Sequence, residues 1–244
     1  MYNATNRQRE DRQTEYCKNP EADRTKDYSP EISQIINDTF RKGNQVYCTT
    51  DWHLWRRDKK GSTSCHKRSD FNKIINTIKD TINDGDLIIH LGDIVDGEFT
   101  NEDELKKILI DIPGRKILVR GNNDIFSYNF YRSCGFDYVT RSFTWANNIF
   151  THMPIKNDAL VNVHGHIHGY ATYWIPYTNQ IDVAYMGGRT QLIKLMDVLG
   201  NQKKYSKTIK EEPEHFNEST TSLFETVCVE YSQLLNKMHD PYDD

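Results

Sequence analysis

At 244 residues the chain can bury a substantial core, and its length suits one large domain or two small ones. No stretch approaches the roughly 18 consecutive apolar residues of a membrane helix, and the mean hydropathy of -0.77 agrees, which excludes a helical membrane protein. A net charge of -4 argues against a surface that tracks nucleic acid throughout and confines any polyanion site to a local patch.

The N-terminal stretch MYNATNRQREDRQTEYCKN lacks the basic-then-apolar pattern of a signal peptide. The five cysteines fall at irregular spacing with no C-x-x-C, which points to reduced thiols, so a cytoplasmic protein is expected. Residues 1 to about 28 are polar and of mixed charge and read as a flexible arm. Ser29-Pro30-Glu31 then predicts a helix start, with Ser29 as N-cap, Pro30 at the first helical position, Ile32, Ile35, Ile36 and Phe40 on one face, and Gly43 at its end.

Gln45 to Thr50 reads as the first buried strand. A helix carrying Phe71, Ile74, Ile75, Ile78 and Ile82 follows, then a turn at Asn83 to Asp86 and a strand from Leu87 to Leu91. A second helix is predicted near Asp103 to Ile110, and a third strand over Lys116 to Arg120, which makes a βαβ rhythm. Closely spaced strand-like pieces come next: 138–144, Ile149 to Thr151, Val161 to Val163 and Ile181 to Ala184. A last helix is expected from about Thr190 to Val198, with weak helical character from Ser222 to Met238. The expected organisation is an N-terminal extension with one helix over 1–44, a domain over 45–200 and a partly helical C-terminal extension over 201–244.

The chemistry-bearing residues fall just after predicted strands. Asp51-Trp52-His53 follows the first, Gly92-Asp93 the second, Gly121-Asn122-Asn123-Asp124 the third, His152 the fourth and Gly165-His166-Ile167-His168 the fifth. In α/β sheets ligands gather beyond the strand C-termini, so the five clusters are expected to converge. In extended backbone a D-x-H or H-x-H pair puts both side chains on one face, so Asp51 with His53, and His166 with His168, can each point at a common centre. Carboxylate and imidazole donors together suit manganese, iron or zinc, an asparagine carbonyl is a plausible further ligand, and the absence of cysteine disfavours a structural zinc site.

In these motifs the chain resembles the calcineurin-like metallophosphoesterase superfamily, whose signature is D-x-H, G-D, G-N-H-D/E, a lone H, then G-H-x-H. The match spans roughly residues 45–198. The resemblance implies an α/β fold, a four-layer αββα sandwich with a dinuclear centre on loops at one edge. It makes Asp51, His53 and His168 ligands of a first metal, Asp93 the bridging carboxylate, and Asn122, His152 and His166 ligands of a second. Two divalent cations are implied, manganese first, with iron, zinc or nickel as alternatives. The implied activity is phosphoester hydrolysis by attack of a metal-bridging hydroxide.

One position departs from the pattern. The family's histidine after the asparagine, assigned to protonating the leaving group or stabilising the transition state, is here Asn123, which donates a hydrogen bond but delivers no proton. Asn123 is expected to contact a phosphate oxygen or the leaving group, and Asp124 to hold Asn123 or a water. Phosphodiester or nucleotide-type substrates are then favoured over alkyl monoesters. The stretch Leu54 to Lys60 with His66 to Arg68 holds six Lys and Arg residues and one acid. Arg56 and Arg57 are candidate substrate contacts, with a solvated loop as the alternative, and Trp55 could stack on a base or pack against a helix. His90 and His164 read as core or supporting histidines, His66 as surface, Cys48 as a small buried residue, and Tyr170 to Tyr177 as packing or pocket wall. The expected partner is a phosphorylated small molecule or nucleotide. A nuclease of the same family, and a metal-binding scaffold without turnover, are the competing readings.

Overall fold

The computed structural model describes residues 27–55, 70–95, 101–155, 159–166, 180–184 and 192–200. The expected N-terminal arm, the basic stretch 56–69, the aromatic stretch 170–177 and the C-terminal extension lie outside the described residues.

Helix α1 (Ser29–Arg41) leads into β1 (Val46–Thr49), α2 (Asp70–Thr81), β2 (Leu87–His90), α3 (Glu102–Ile110) and β3 (Arg115–Val119). Then come α4 (Tyr128–Ser133), β4 (Tyr138–Thr140), β5 (Ser142–Trp145), β6 (Asn148–Thr151), β7 (Val161–His164), β8 (Gln180–Asp182) and β9 (Ile193–Lys194). The first sheet has the order β4-β3-β2-β1-β9, with β1 to β4 parallel and β9 antiparallel on β1. In the second sheet, order β5-β6-β7-β8, only the β5–β6 pair is antiparallel.

Strand periodicity builds the two cores. Val46, Cys48, Leu87, Ile89, Ile117 and Val119 face inward from the first sheet and pack on Phe143, Phe150, Val163 and Ile181 of the second. Their neighbours Tyr47, Ile88, Leu118 and Val139 face the other way and pack on Ile74 and Ile78 of α2, Leu105 and Leu109 of α3, and Tyr131 of α4. The result is the mixed α/β arrangement of two sheets flanked by helices that the family resemblance implies.

Four local expectations are corrected. Residues 138–144 form not one strand but two, β4 and β5, because the chain crosses from one sheet to the other at Arg141. Ile193 and Lys194, expected in a helix, pair with Cys48 and Tyr47 as an edge strand, and among the described residues the helix covers 195–200. The strand expected over Ile181 to Ala184 is β8, ending at Asp182, because Asp182 Oδ1 accepts the Ala184 N–H at 2.9 Å and turns the chain. Ser29 is the first helical residue, not the cap: Asp27 Oδ1 accepts its N–H at 2.8 Å, and its own hydroxyl accepts the Thr144 N–H at 2.8 Å.

That last bond ties α1 to β5. With Ile32, Ile35 and Ile36 in the inter-sheet core, α1 is part of the packed body. Ile36 is fully buried, so Ile36→Ala should lower the unfolding free energy by about 2–5 kcal/mol, a large-to-small core loss. Urea denaturation of the metal-free chain measures this; a change below about 0.5 kcal/mol, the scale of ordinary surface substitutions, would show that α1 is dispensable.

Candidate metal centre

Every described candidate donor sits within four residues of the C-terminal end of a strand, where the ladder has just closed. The β1–β2 pairing continues past the strands: Asp51 N donates to Gly92 O at 2.9 Å, His53 N to Asp93 O at 2.9 Å and Leu54 N to Ile94 O at 2.8 Å. The two loops therefore leave the sheet zipped together. They do so in left-handed backbone, with φ of 55° at Asp51, 42° at His53, 59° at Asp93 and 69° at His166. Such conformations cost roughly 1–3 kcal/mol each for residues with a Cβ and persist only where surrounding bonds over-determine them. The extended-backbone reason for convergence of Asp51 and His53 is thus replaced: the pair does converge, with His53 Nε2 at 3.7 Å from Asp51 Oδ1, but through a left-handed turn.

Two donor groups form. Asp51, His53 and Asp93 present ligand atoms within 4.8 Å of one another, and so do Asp93, His152 and His166. Asp93 belongs to both. Its Oδ2 lies 3.5 Å from His53 Nε2 and its Oδ1 3.4 Å from His152 Nε2. His152 Nε2 is also 3.0 Å from Asn122 Oδ1 and 3.1 Å from His166 Nδ1.

The tautomer of His152 is set from behind. Its Nδ1 donates to the Leu91 carbonyl at 2.7 Å, which leaves Nε2 to face Asp93 and Asn122 and to offer a lone pair to a cation once its own proton has left. Two acceptors and a ring nitrogen aimed at one point need a proton or a cation between them. Two adjacent sets of oxygen and nitrogen donors sharing a carboxylate fit a pair of divalent cations of the manganese, iron or zinc type.

The remaining atoms of each donor are held by the chain. Asp51 Oδ2 accepts from the Thr50 hydroxyl at 2.7 Å and from His166 N at 2.9 Å, which links the first loop to the fifth. A Cβ at Gly165 would collide with Thr50 Oγ1 and lie 2.5 Å from Asp51 Oδ2, so only glycine lets the fifth loop come this close. His90 Nδ1 accepts the Gly92 N–H at 3.0 Å, and burial pushes its pKa down to about 3, which keeps it a neutral acceptor under the Gly92-Asp93 turn. Burial likewise lowers His164, whose Nδ1 donates to Gly165 O at 2.8 Å.

Asp124 is fully buried, and its oxygens are taken. Oδ2 accepts from Asp93 N at 2.9 Å and Gly121 N at 2.8 Å, while Oδ1 accepts from Ile94 N at 2.9 Å and the Tyr131 hydroxyl at 3.2 Å. The sequence expects it to hold Asn123 or a water; it holds three backbone N–H groups and the Tyr131 hydroxyl instead. Asn123 turns the other way, onto Asp93: its backbone N–H reaches Oδ1 at 2.9 Å and its side-chain amide reaches Oδ2 at 2.7 Å.

Sequence reasoning missed Thr50, Tyr131 and helix α4. Thr50 looks like one more strand residue beside Thr49. The six-residue α4 is rich in aromatics with modest helix propensity, and its readable signal was Ser127, whose hydroxyl caps Phe130 N at 3.1 Å. Trp55 packs against the helix-side core, which is the packing alternative for that residue. Cys48 is buried, and burial pushes its thiol pKa up, so it is inert. His168, Arg56, Arg57 and His66 lie outside the described residues.

A family model described as calcineurin-like phosphoesterase covers residues 45–221. The chain belongs to this family. None of the curated proteins compared with it matches. Among solved structures, a protein of unknown function from Aquifex aeolicus superposes with a TM-score of 0.50 at 18% identity, covering 64% of this chain and 98% of that one. A nuclease from Pseudomonas putida aligns with a TM-score of 0.38 at 16% identity, covering 50% of this chain and 61% of that one. The first likeness is one of fold. As in other members, the chemistry is metal-dependent phosphoester hydrolysis. Among the described residues, no helix is long and apolar enough to cross a membrane.

The electrostatics of the centre make a prediction about pH. Burial opposes a charge on His152, but Asp93 beside it, with Asp51 and the Leu91 carbonyl, reverses this and pushes its pKa up to about 9. Burial also opposes the charge on Asp93, yet His152 and His53 hold its carboxyl below the usual range. At neutral pH a proton therefore occupies His152 Nε2 and must leave before a cation binds. Apparent Mn2+ affinity should rise by up to about tenfold per pH unit through the neutral range and level off near that pKa, with about one proton released. Calorimetric titration in buffers of different ionisation enthalpy checks it; flat affinity with no proton release would refute it.

Proposed function

We propose that the chain is a two-metal phosphoesterase acting on phosphorylated small molecules or nucleotides, with phosphodiester and nucleotide-type substrates favoured over alkyl monoesters. The observation that carries this reading is that Asp93 is shared between two donor groups, since two cations held about 3.5–4 Å apart by one carboxylate are what an in-line displacement at phosphorus uses. Asp51 and His53, completed by His168, would hold one cation. Asn122, His152 and His166 would hold the other, with Asp93 between. Bound there, two divalent cations supply an acidified water and neutralise charge on the phosphoryl group.

The chain's own part is to fix those donors, to keep His152 in the right tautomer, and to leave Asn122 exposed at the mouth of the site. Arg56 and Arg57 are proposed to meet further phosphate oxygens. The substrate preference follows from Asn123. An amide releases no proton at ordinary pH, so no acid stands at that position to protonate a poor leaving group, a contribution typically of about 10²–10⁴-fold. Esters with good leaving groups lose least. A cytoplasmic setting suits the free, buried Cys48 and Cys134.

Metal-stripped protein resupplied with manganese should hydrolyse bis-p-nitrophenyl phosphate faster than an alkyl monoester. Asp93→Asn should lose at least about 100-fold, more than the 10–100-fold typical of removing a ligand's supporting partner. Faster turnover of the alkyl monoester would refute the preference. Metal uptake with no hydrolysis across aryl and alkyl esters and single-stranded DNA would favour a binding scaffold, and cleavage of DNA alone a nuclease.

A further inference from the structure

Asp93 carries the double duty in the centre, and the way it is held has a consequence of its own. A carboxylate turns easily about its last torsion, whose rotamers are broad and weakly preferred. A free Asp93 side chain would present its oxygens to His53 and His152 in many orientations. Here one residue grips both: Asn123 donates its backbone N–H to Oδ1 at 2.9 Å and its amide to Oδ2 at 2.7 Å. The amide group facing Oδ2 must be the NH2 end, because an ionised carboxylate only accepts. Each oxygen also faces one imidazole, Oδ1 toward His152 at 3.4 Å and Oδ2 toward His53 at 3.5 Å. A carboxylate oxygen has lone pairs enough to take one donor and still serve the imidazole side.

Resting on the two-metal reading, we propose that Asn123 is a positioning residue for the shared carboxylate, and that its amide sets the affinity of the Asp51–His53 half of the centre more than that of the His152–His166 half. The asymmetry follows from which donor is side chain. Removing the amide frees Oδ2, on the His53 side, while the backbone N–H keeps Oδ1 in place on the His152 side. A group that contacted only the substrate would leave cation affinity untouched.

The test is titration of the metal-free full chain with Mn2+, following free Mn2+ by electron paramagnetic resonance, for the wild type and Asn123→Ala. Should the alanine variant fail to fold, Asn123→Ser, whose hydroxyl is too short to span to Oδ2, takes its place. The wild type should bind two ions. The variant should bind one with near-normal affinity and the other at least about tenfold more weakly, in the range typical of losing a ligand's hydrogen-bond partner. The metal-free variant should still unfold cooperatively, and KM for bis-p-nitrophenyl phosphate at saturating metal should be unchanged while kcat falls. Two unaltered binding steps with a raised KM would overturn the inference, assigning Asn123 to the substrate and leaving the phosphoesterase reading intact. Equal weakening of both steps together with lower metal-free stability would overturn it in favour of a general structural role. A wild type that takes up no Mn2+ would overturn the two-metal reading, and this inference with it.

Discussion

The carboxylate of Asp124 anchors the centre. It has no access to solvent and accepts hydrogen bonds from three backbone N–H groups, those of Asp93, Ile94 and Gly121, and from the Tyr131 hydroxyl. A buried carboxylate is costly unless its lone pairs are satisfied, so these four donors and the carboxylate hold one another in place. They belong to the loop after β2, the loop after β3 and helix α4. One side chain therefore locks two strand ends against the helix layer and sets the peptide from which the Asp93 side chain projects.

From that anchor the rest of the centre is reached by a chain of short links. The post-β2 loop holds the post-β1 loop through the bonds from Asp51, His53 and Leu54 to Gly92, Asp93 and Ile94. The post-β1 loop holds the post-β7 loop through Asp51 and His166, and the Leu91 carbonyl holds His152 of the second sheet. The two sheets are joined below by an apolar core and at this edge by polar contacts. Close approach requires small residues: a Cβ on Gly121 would collide with Asp93 Oδ1, as one on Gly165 would with Thr50. Four donors in left-handed backbone are the strain that this convergence imposes, and the packed cores supply the stability that offsets it.

Much of this was legible in the residues. The runs Gln45 to Thr50, Leu87 to Leu91 and Lys116 to Arg120 read as strands because they are short and rich in β-branched, aromatic and aliphatic residues, and the strands that form there are buried on both faces from Val46 to Thr49, Leu87 to His90 and Lys116 to Val119. Asp51, Asp93, Asn122, His152 and His166 could be singled out because each follows such a run. What could not be read was conformation set by distant bonds. Asp and His tolerate a left-handed path better than most residues but do not require one, so Asp51-Trp52-His53 does not fix it. Ile193 and Lys194 belong to a segment with helical spacing and become a strand only because the free edge of β1 lies beside them.

The sequence by itself determined the α/β alternation and the order in which carboxylate, amide and imidazole groups follow the strand ends, since periodicity and spacing are local properties; the two sheets were implied only through the family resemblance. Only the tertiary structure decided what adjacent residues do. Asn123 and Asp124 are neighbours in one loop, yet one reaches the side chain of Asp93 and the other its backbone. That division depends on how two loops thirty residues apart are clamped together, and hydrogen bonds across such a distance leave no trace in local pattern.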